Sequence, residues 1–297
     1  MGLETKNWSH GGRYIENISI NLNSQNLLAK ALRANALALE LASVREDDEA
    51  IFSCRLNLFA DQSRLGHWQA AEATWQLLNP MMRDWSRSAY RQGVAEWLFA
   101  SYQFLQGTMR EEHIAAAAAL AEQDGNRIVL RYLHGLRGIW WLEQGEWALA
   151  AASFHQAVSM ARERRFVDIN SETGLALAKF HLGQLTGDDA RSEAERLAQL
   201  VTGDRYLALL WLAIGDHEQA KLHALAAYRW AWADGEPYVN RYVLTKTTEL
   251  LQQMNVPIPD LPPYDPAKDE PFPWEADVRA AIEKLRAEKA AKNENKD

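Results

Sequence analysis

Arg83, Arg87 and Arg91 recur every four residues, a spacing that lines one face of a helix with guanidinium groups. Such a stripe could grip an acidic protein surface or a phosphate-bearing ligand, because the planar guanidinium fork matches carboxylate and phosphate oxygens. It is equally what a solvated helix face looks like, and Asp84 beside it offers only a local counter-charge. Arg162, Arg164 and Arg165 fall near a helix end, where cations complement the partial negative charge of the last carbonyls. His217 and His223 stand six apart, so they leave one helix at different angles and are poorly placed to share a metal ion. Cys54 lies among Ile51, Phe52, Leu56 and Leu58, the surroundings of a small core residue rather than of an activated thiol. Carboxylates occur mostly in runs such as Glu46-Asp47-Asp48-Glu49, which suit a solvated helix start. There is no G-x-x-x-x-G-K-S/T phosphate loop and no H-E-x-x-H zinc motif. No catalytic, metal or cofactor site is expected, and the chain reads as a non-enzyme.

The elements that must position these groups are helices. Around residues 128 to 165, Gly138 stands one turn before Trp141, and a Gln144-Gly145-Glu146 turn follows. Beyond it Trp147, Ala150, Phe154 and Ala157 recur at three- and four-residue steps, lining one face of a second helix. Small residues at Gly138, Ala150 and Ala157 let two axes approach, and Trp141, Trp147 and Phe154 are expected to fill the space between them. One hairpin cannot bury both of its faces, so stacked copies are expected. Similar turns occur at Gly66-His67-Trp68, with Ala71 and Trp75, and at Gly215-Asp216-His217, with Ala220, Ala224 and Ala227. Weaker ones at Gly107 and Gly183 give spacings of 41, 38, 38 and 32 residues.

Residues 1–23 carry Gly11-Gly12 and no helical period, so an irregular segment is expected there. The repeat array is read over residues 24–254, with the arginine stripe on a helix continuing to Gln106 and a capping helix over about 237–254. Residues 255–273 hold seven prolines between Pro257 and Pro273, which removes backbone donors and predicts an extended strap. Residues 274–297 read as an amphipathic helix with a charged, frayed tail. Short isolated helices are marginal in water, so the strap is expected to fold back, anchored by Tyr264, Phe272 and Trp274.

Composition narrows the function classes. Of 297 residues 47% are hydrophobic and 12 are Trp, enough for a sizeable core. The net charge of -8 argues against a general attraction to nucleic acid or anionic lipid, both of which need a basic face. A single cysteine excludes an intrachain disulfide and fits a reducing compartment. The opening MGLETKNWSH reads as no secretory leader, and the longest apolar run, Tyr206 to Gly215, is about half a membrane span. A cytoplasmic location is expected.

The hairpin pattern resembles the tetratricopeptide repeat: a Gly and a large aromatic in the first helix, a Gly-x-aromatic turn, then Ala, aromatic and Ala in the second. The resemblance implies an all-α fold of hairpins stacked in a right-handed superhelix, an alpha solenoid, with about 34 residues per repeat. It further implies that the first helices line a concave groove that grips peptides or protein surfaces. Alignment on the turn glycines puts Asn57, Arg64, Trp97, Ser101, Tyr132, Ile139, Asn170, Thr173, Phe180 and Arg205 on that groove. The mixture is too weakly basic to clamp a C-terminal carboxylate. The phrases DQSRLGHWQAAEATWQLL, RDWSRSAYR and LEQGEWALAAASFHQAVSMARER, and the ending from VPIPDLPPYDPAK, are similar to the C-terminal repeats of bacterial signal-transducing NTPases of the STAND class, including NACHT-type proteins. In those proteins the repeats sense a trigger and release an ATPase module, and several members act against phage. The resemblance implies a protein-binding sensor or adaptor, partnered by another protein or peptide, or by a STAND-type ATPase module. The alternative is a sugar-type small-molecule sensor of a transcription activator, which would need exposed aromatic platforms.

Overall fold

The computed structural model describes residues 8–84, 89–200 and 204–294. In chain order the helices are α1 (Trp8–Ser24), α2 (Leu28–Arg45), α3 (Asp48–Leu65), α4 (Trp68–Asp84), α5 (Ala89–Leu105), α6 (Glu111–Gln123) and α7 (Arg127–Glu143). They continue as α8 (Trp147–Glu163), α9 (Ile169–His181), α10 (Gly187–Ala198), α11 (Arg205–Ile214), α12 (His217–Trp232), α13 (Arg241–Gln253) and α14 (Glu275–Glu294). A short 3₁₀ turn, Pro266–Lys268, precedes the last, and no strand occurs among the described residues. The fold is all-α.

Helix termini show why the chain turns where it does. At Gly66, Gly107, Gly145, Gly183 and Gly215 the backbone has positive φ. The next residue in each case donates to the carbonyl five positions back: His67 to Gln62, Thr108 to Gln103, Glu146 to Trp141, Gln184 to Lys179 and Asp216 to Trp211. This closure satisfies carbonyls that the helix end leaves without partners. The same closure also forms around Asn26, Glu46, Arg165 and Asn255, which are not glycine yet adopt the left-handed conformation.

The chain forms two compact units. One takes residues up to 84, then 233–239 and 262 onward; the other takes 85–232 and 240–261. In the first unit α1 to α4 pack pairwise in sequence and α14 packs on α2. Helix α1 occupies a stretch expected to be irregular. Gly11 and Gly12 weaken it, but Ile15 and Ser19 lie four apart on one face and are fully or almost fully buried, so packing outweighs the glycine cost. Cys54 is wholly buried in the same core as Ile15, Ala34, Ala38 and Leu41. Val278 and Ile282 of α14 complete that core.

From Pro262 onward the proline-rich strap lies back on this unit. Arg33 pairs with Asp269 at 2.8 Å, donates to the Glu270 carbonyl at 2.7 Å and sits over the Phe272 ring at 4.8 Å. The Phe272 and Trp274 rings stack at 4.6 Å, and the Tyr264 hydroxyl donates to Asp269 at 2.7 Å. Gly235 has φ +89, and a Cβ there would meet the Tyr264 nitrogen at 2.5 Å, so only glycine lets the strap pass.

In the second unit each helix from α5 to α9 packs on its successor, as α10 does on α11, α11 on α12 and α12 on α13. Helices α5, α7, α9 and α11 also touch one another in series. The tightest point is Phe154 of α8, wholly buried between Gly138 of α7 and Gly174 of α9. A Cβ on either glycine would come within 2.6 Å and 2.5 Å of ring atoms respectively. Trp141 and Trp147 do not share this role. Both are half-buried; Trp141 leans on Trp140 and Trp147 stacks on His181 at 3.9 Å. Phe154 is the ring wholly buried between the facing glycines, and Trp141 and Trp147 pack against the same core while remaining partly exposed.

Candidate binding surface

The N-terminal end of α7 carries a stack of alternating aromatic and cationic planes. Trp97 on α5 lies on Tyr132 with centroids 4.6 Å apart and planes 13° from parallel. The Arg131 guanidinium stands 4.1 Å from the Tyr132 centroid and 4.6 Å from that of Phe166, in the α8–α9 connection. Asp168 pins that guanidinium at 2.7 Å while its other oxygen caps α9 through the Ser171 amide at 3.4 Å. One carboxylate therefore both starts a helix and fixes a binding group. Arg131 is 9% exposed, whereas Tyr132 and Phe166 remain 40% and 39% exposed. Ile128, one turn before Tyr132, and Val167, beside Phe166, are exposed as well. At the margin Arg127 pairs with Glu163 in solvent.

Two of the sequence-expected groove residues, Trp97 and Tyr132, thus come together. Asn170 is exposed on α9 and Asn57 is half-buried on α3 of the other unit. Thr173 is not a groove residue: it is wholly buried, and its hydroxyl donates to the Ile169 carbonyl at 2.8 Å, satisfied inside its own helix. The Ser101 hydroxyl is used the same way, on the Trp97 carbonyl at 2.8 Å. Ile139 and Phe180 pack against the core. Arg64 donates to Asn23 within its unit, beside the buried Asp61. Of the arginine stripe, the Arg83 side chain and Arg87 lie outside the described residues, and Arg91 is half-buried on α5.

Arg131, Phe166 and Asp168 are the functional candidates that periodicity alone does not supply. Neighbours on a helix diverge by about 100°, so spacing separates Arg131 from Tyr132, and Phe166 lies outside any helix. The available signal is Asp168 immediately before the Ile169-Asn170-Ser171-Glu172 helix start, a capping pattern that places the connection.

Arg205, the remaining expected groove residue, is 8% exposed at the start of α11. It pairs with Glu143 at the end of α7, and the Tyr242 hydroxyl on α13 donates to the same carboxylate at 3.0 Å. Lys246 approaches the other Glu143 oxygen at 3.6 Å. Burial works against the Glu143 charge, yet Arg205, Lys246 and Tyr242 hold its pKa below the usual carboxylate value. Phe104 of α5 meets the Tyr242 ring edge-on at 5.0 Å. At this end Arg205, Glu143, Tyr242 and Lys246 are engaged with one another.

No protein-family model matches the chain, and no curated protein does. Among the described residues no group of three or more His, Cys, Asp or Glu side chains is poised for a metal ion. No helix among them is long and apolar enough to cross a membrane. The Trp97–Tyr132–Arg131–Phe166 stack offers rigid planar faces and a cation whose charge Asp168 already meets. Its chemistry is that of apolar and aromatic contact.

Proposed function

We propose that the chain is a protein-recognition module of tetratricopeptide-like hairpins in a right-handed superhelix, with the Trp97–Tyr132–Arg131–Phe166 stack as its anchor for a polypeptide segment. The observation that carries this reading is the exposure of Tyr132 and Phe166 on a buried, ion-paired Arg131. Trp, Tyr and Arg are the residues that dominate binding energy at protein interfaces, and a salt-bridged margin such as Arg127–Glu163 suits the rim around such a centre. Because the Arg131 charge is met, the preferred partner segment presents an apolar or aromatic side chain rather than a carboxylate. The serial contact of α5, α7, α9 and α11 supports a common recognition face. Resemblance to STAND-class repeats suggests the setting: the recognition region of, or an adaptor for, a bacterial signalling or anti-phage defence ATPase. The sugar-sensor alternative wants aromatic faces free for stacking, and here Trp97 stacks on Tyr132 and His181 on Trp147.

The test is affinity capture from bacterial lysate, with and without phage infection, by the wild-type chain and by variants of unchanged melting temperature. A partner lost with Tyr132→Ser combined with Phe166→Ser, but kept with Leu222→Ser on the exposed face of α12, is the expected result. Equal capture by all three proteins would remove the stack as the recognition site.

A further inference from the structure

A second site lies at the opposite end of α7. A cleft of about 400 Å³ opens between α7, α8, α9, α11 and the end of α13. It is lined by Leu142, Leu177, Leu209, Leu212 and Ala213, together with the stacked Trp147–His181 pair and the polar Arg205, Glu143 and Gln253. This volume falls in the roughly 300–1,000 Å³ range of small-molecule sites. Aliphatic walls hold water poorly, so apolar contact there is favourable.

We propose that this cleft binds an uncharged, mainly apolar small molecule of about two aromatic rings carrying one hydrogen-bonding group. Charge balance selects against ions. Arg205 and Glu143 already neutralise each other, and Tyr242 and Lys246 complete the shell of Glu143. An ionised ligand would leave one buried charge without its partner. Burial lowers the pKa of His181, so near neutral pH it is an uncharged imidazole with one donor and one acceptor nitrogen. That ring and the Gln253 amide supply the polar contact for a hydroxyl or amide on the ligand. The site is separate from the aromatic–arginine stack and does not depend on the protein-recognition reading.

The probe pair is 4-phenylphenol and biphenyl-4-carboxylate, nearly equal in shape but different in charge, titrated calorimetrically into the full chain at pH 7.5. Saturable binding of the phenol, at least tenfold tighter than that of the carboxylate, is expected. Ala213→Met fills the cleft and should weaken the phenol at least tenfold with the melting temperature maintained. Glu143→Gln leaves Arg205 without its counter-charge and should reverse the preference towards the carboxylate. The proposal is overturned if the phenol shows no saturable binding, if Ala213→Met leaves its affinity unchanged, or if the wild-type chain takes the carboxylate as well as the phenol.

Discussion

A single methyl group tests the packing of Phe154. Gly138→Ala places a Cβ 2.6 Å from the ring, so Phe154 or the α7 backbone must shift. The overpacking cost, about 1–3 kcal/mol, exceeds the gain in helix propensity of roughly 1 kcal/mol at most. Urea denaturation should show Gly138→Ala destabilising the wild-type chain but costing clearly less in a Phe154→Leu background, where the ring is gone; equal costs in the two backgrounds would discard this contact. Asp61 offers a different single-residue test. It is 2% exposed, hydrogen-bonded by Asn23 and by Asn35 at 2.5 Å, and burial pushes its pKa up to about 7 against the pull of Arg64 and Asn35. The unfolded carboxyl titrates near 3.8, so between that value and about 7 the folded chain keeps a proton the unfolded chain has lost. Its stability contribution is complete below the lower value and declines as pH rises through the upper one. The melting temperature should therefore fall from pH 5 to pH 7.5, and Asp61→Asn should flatten that slope; an unchanged slope would place the titration elsewhere.

At the scale of elements, the glycine turns were the most legible part of the chain, because glycine enters the left-handed region without cost. Gly66, Gly107, Gly145, Gly183 and Gly215 all close helices in the expected way. The turns at Asn26, Glu46, Arg165 and Asn255 use the same hydrogen bond, but the two asparagines carry only a weaker left-handed preference and Glu46 and Arg165 carry none. An L-residue can be held left-handed for about 1–2 kcal/mol, which packing easily supplies, so those closures are invisible to spacing. Of these only Arg165 falls between two of the five glycine turns, so it halves the Gly145–Gly183 interval and leaves the 41- and 32-residue intervals as they are. Arg165→Gly should relieve that strain and raise stability by about 0.5–1 kcal/mol in denaturant melts, whereas Gly145→Ala should lower it by a similar amount. A destabilising Arg165→Gly would mean that the arginine side chain matters more than its backbone. Helix α1 was hidden for the opposite reason: Gly11-Gly12 argue against a helix locally, and only tertiary burial of Ile15 and Ser19 outweighs them. The recognition stack was half legible. Trp97 and Tyr132 follow from helical periodicity, but Phe166 enters through a connection whose path is set by the Asp168 cap.

For the molecule as a whole, the first unit is discontinuous in sequence, and its core depends on the first and last of its three segments. Val278 and Ile282 are almost fully buried against Ile15, Ala34, Ala38 and Leu41. Val278→Asp would put a carboxylate among those side chains and should cost about 3 kcal/mol or more. Limited proteolysis of that variant is expected to cut within residues 8–84 first, leaving 89–200 protected; simultaneous loss of both regions would show that the two units unfold as one. The order of synthesis adds a consequence. Roughly 200 residues separate the end of α4 from the arrival of Ile282, which at about 5–20 residues per second is roughly 10–40 s of translation. Throughout that interval the N-terminal helices lack the side chains that finish their core, so a newly made chain carries an apolar seam that a chaperone must cover or that a neighbouring nascent chain can find.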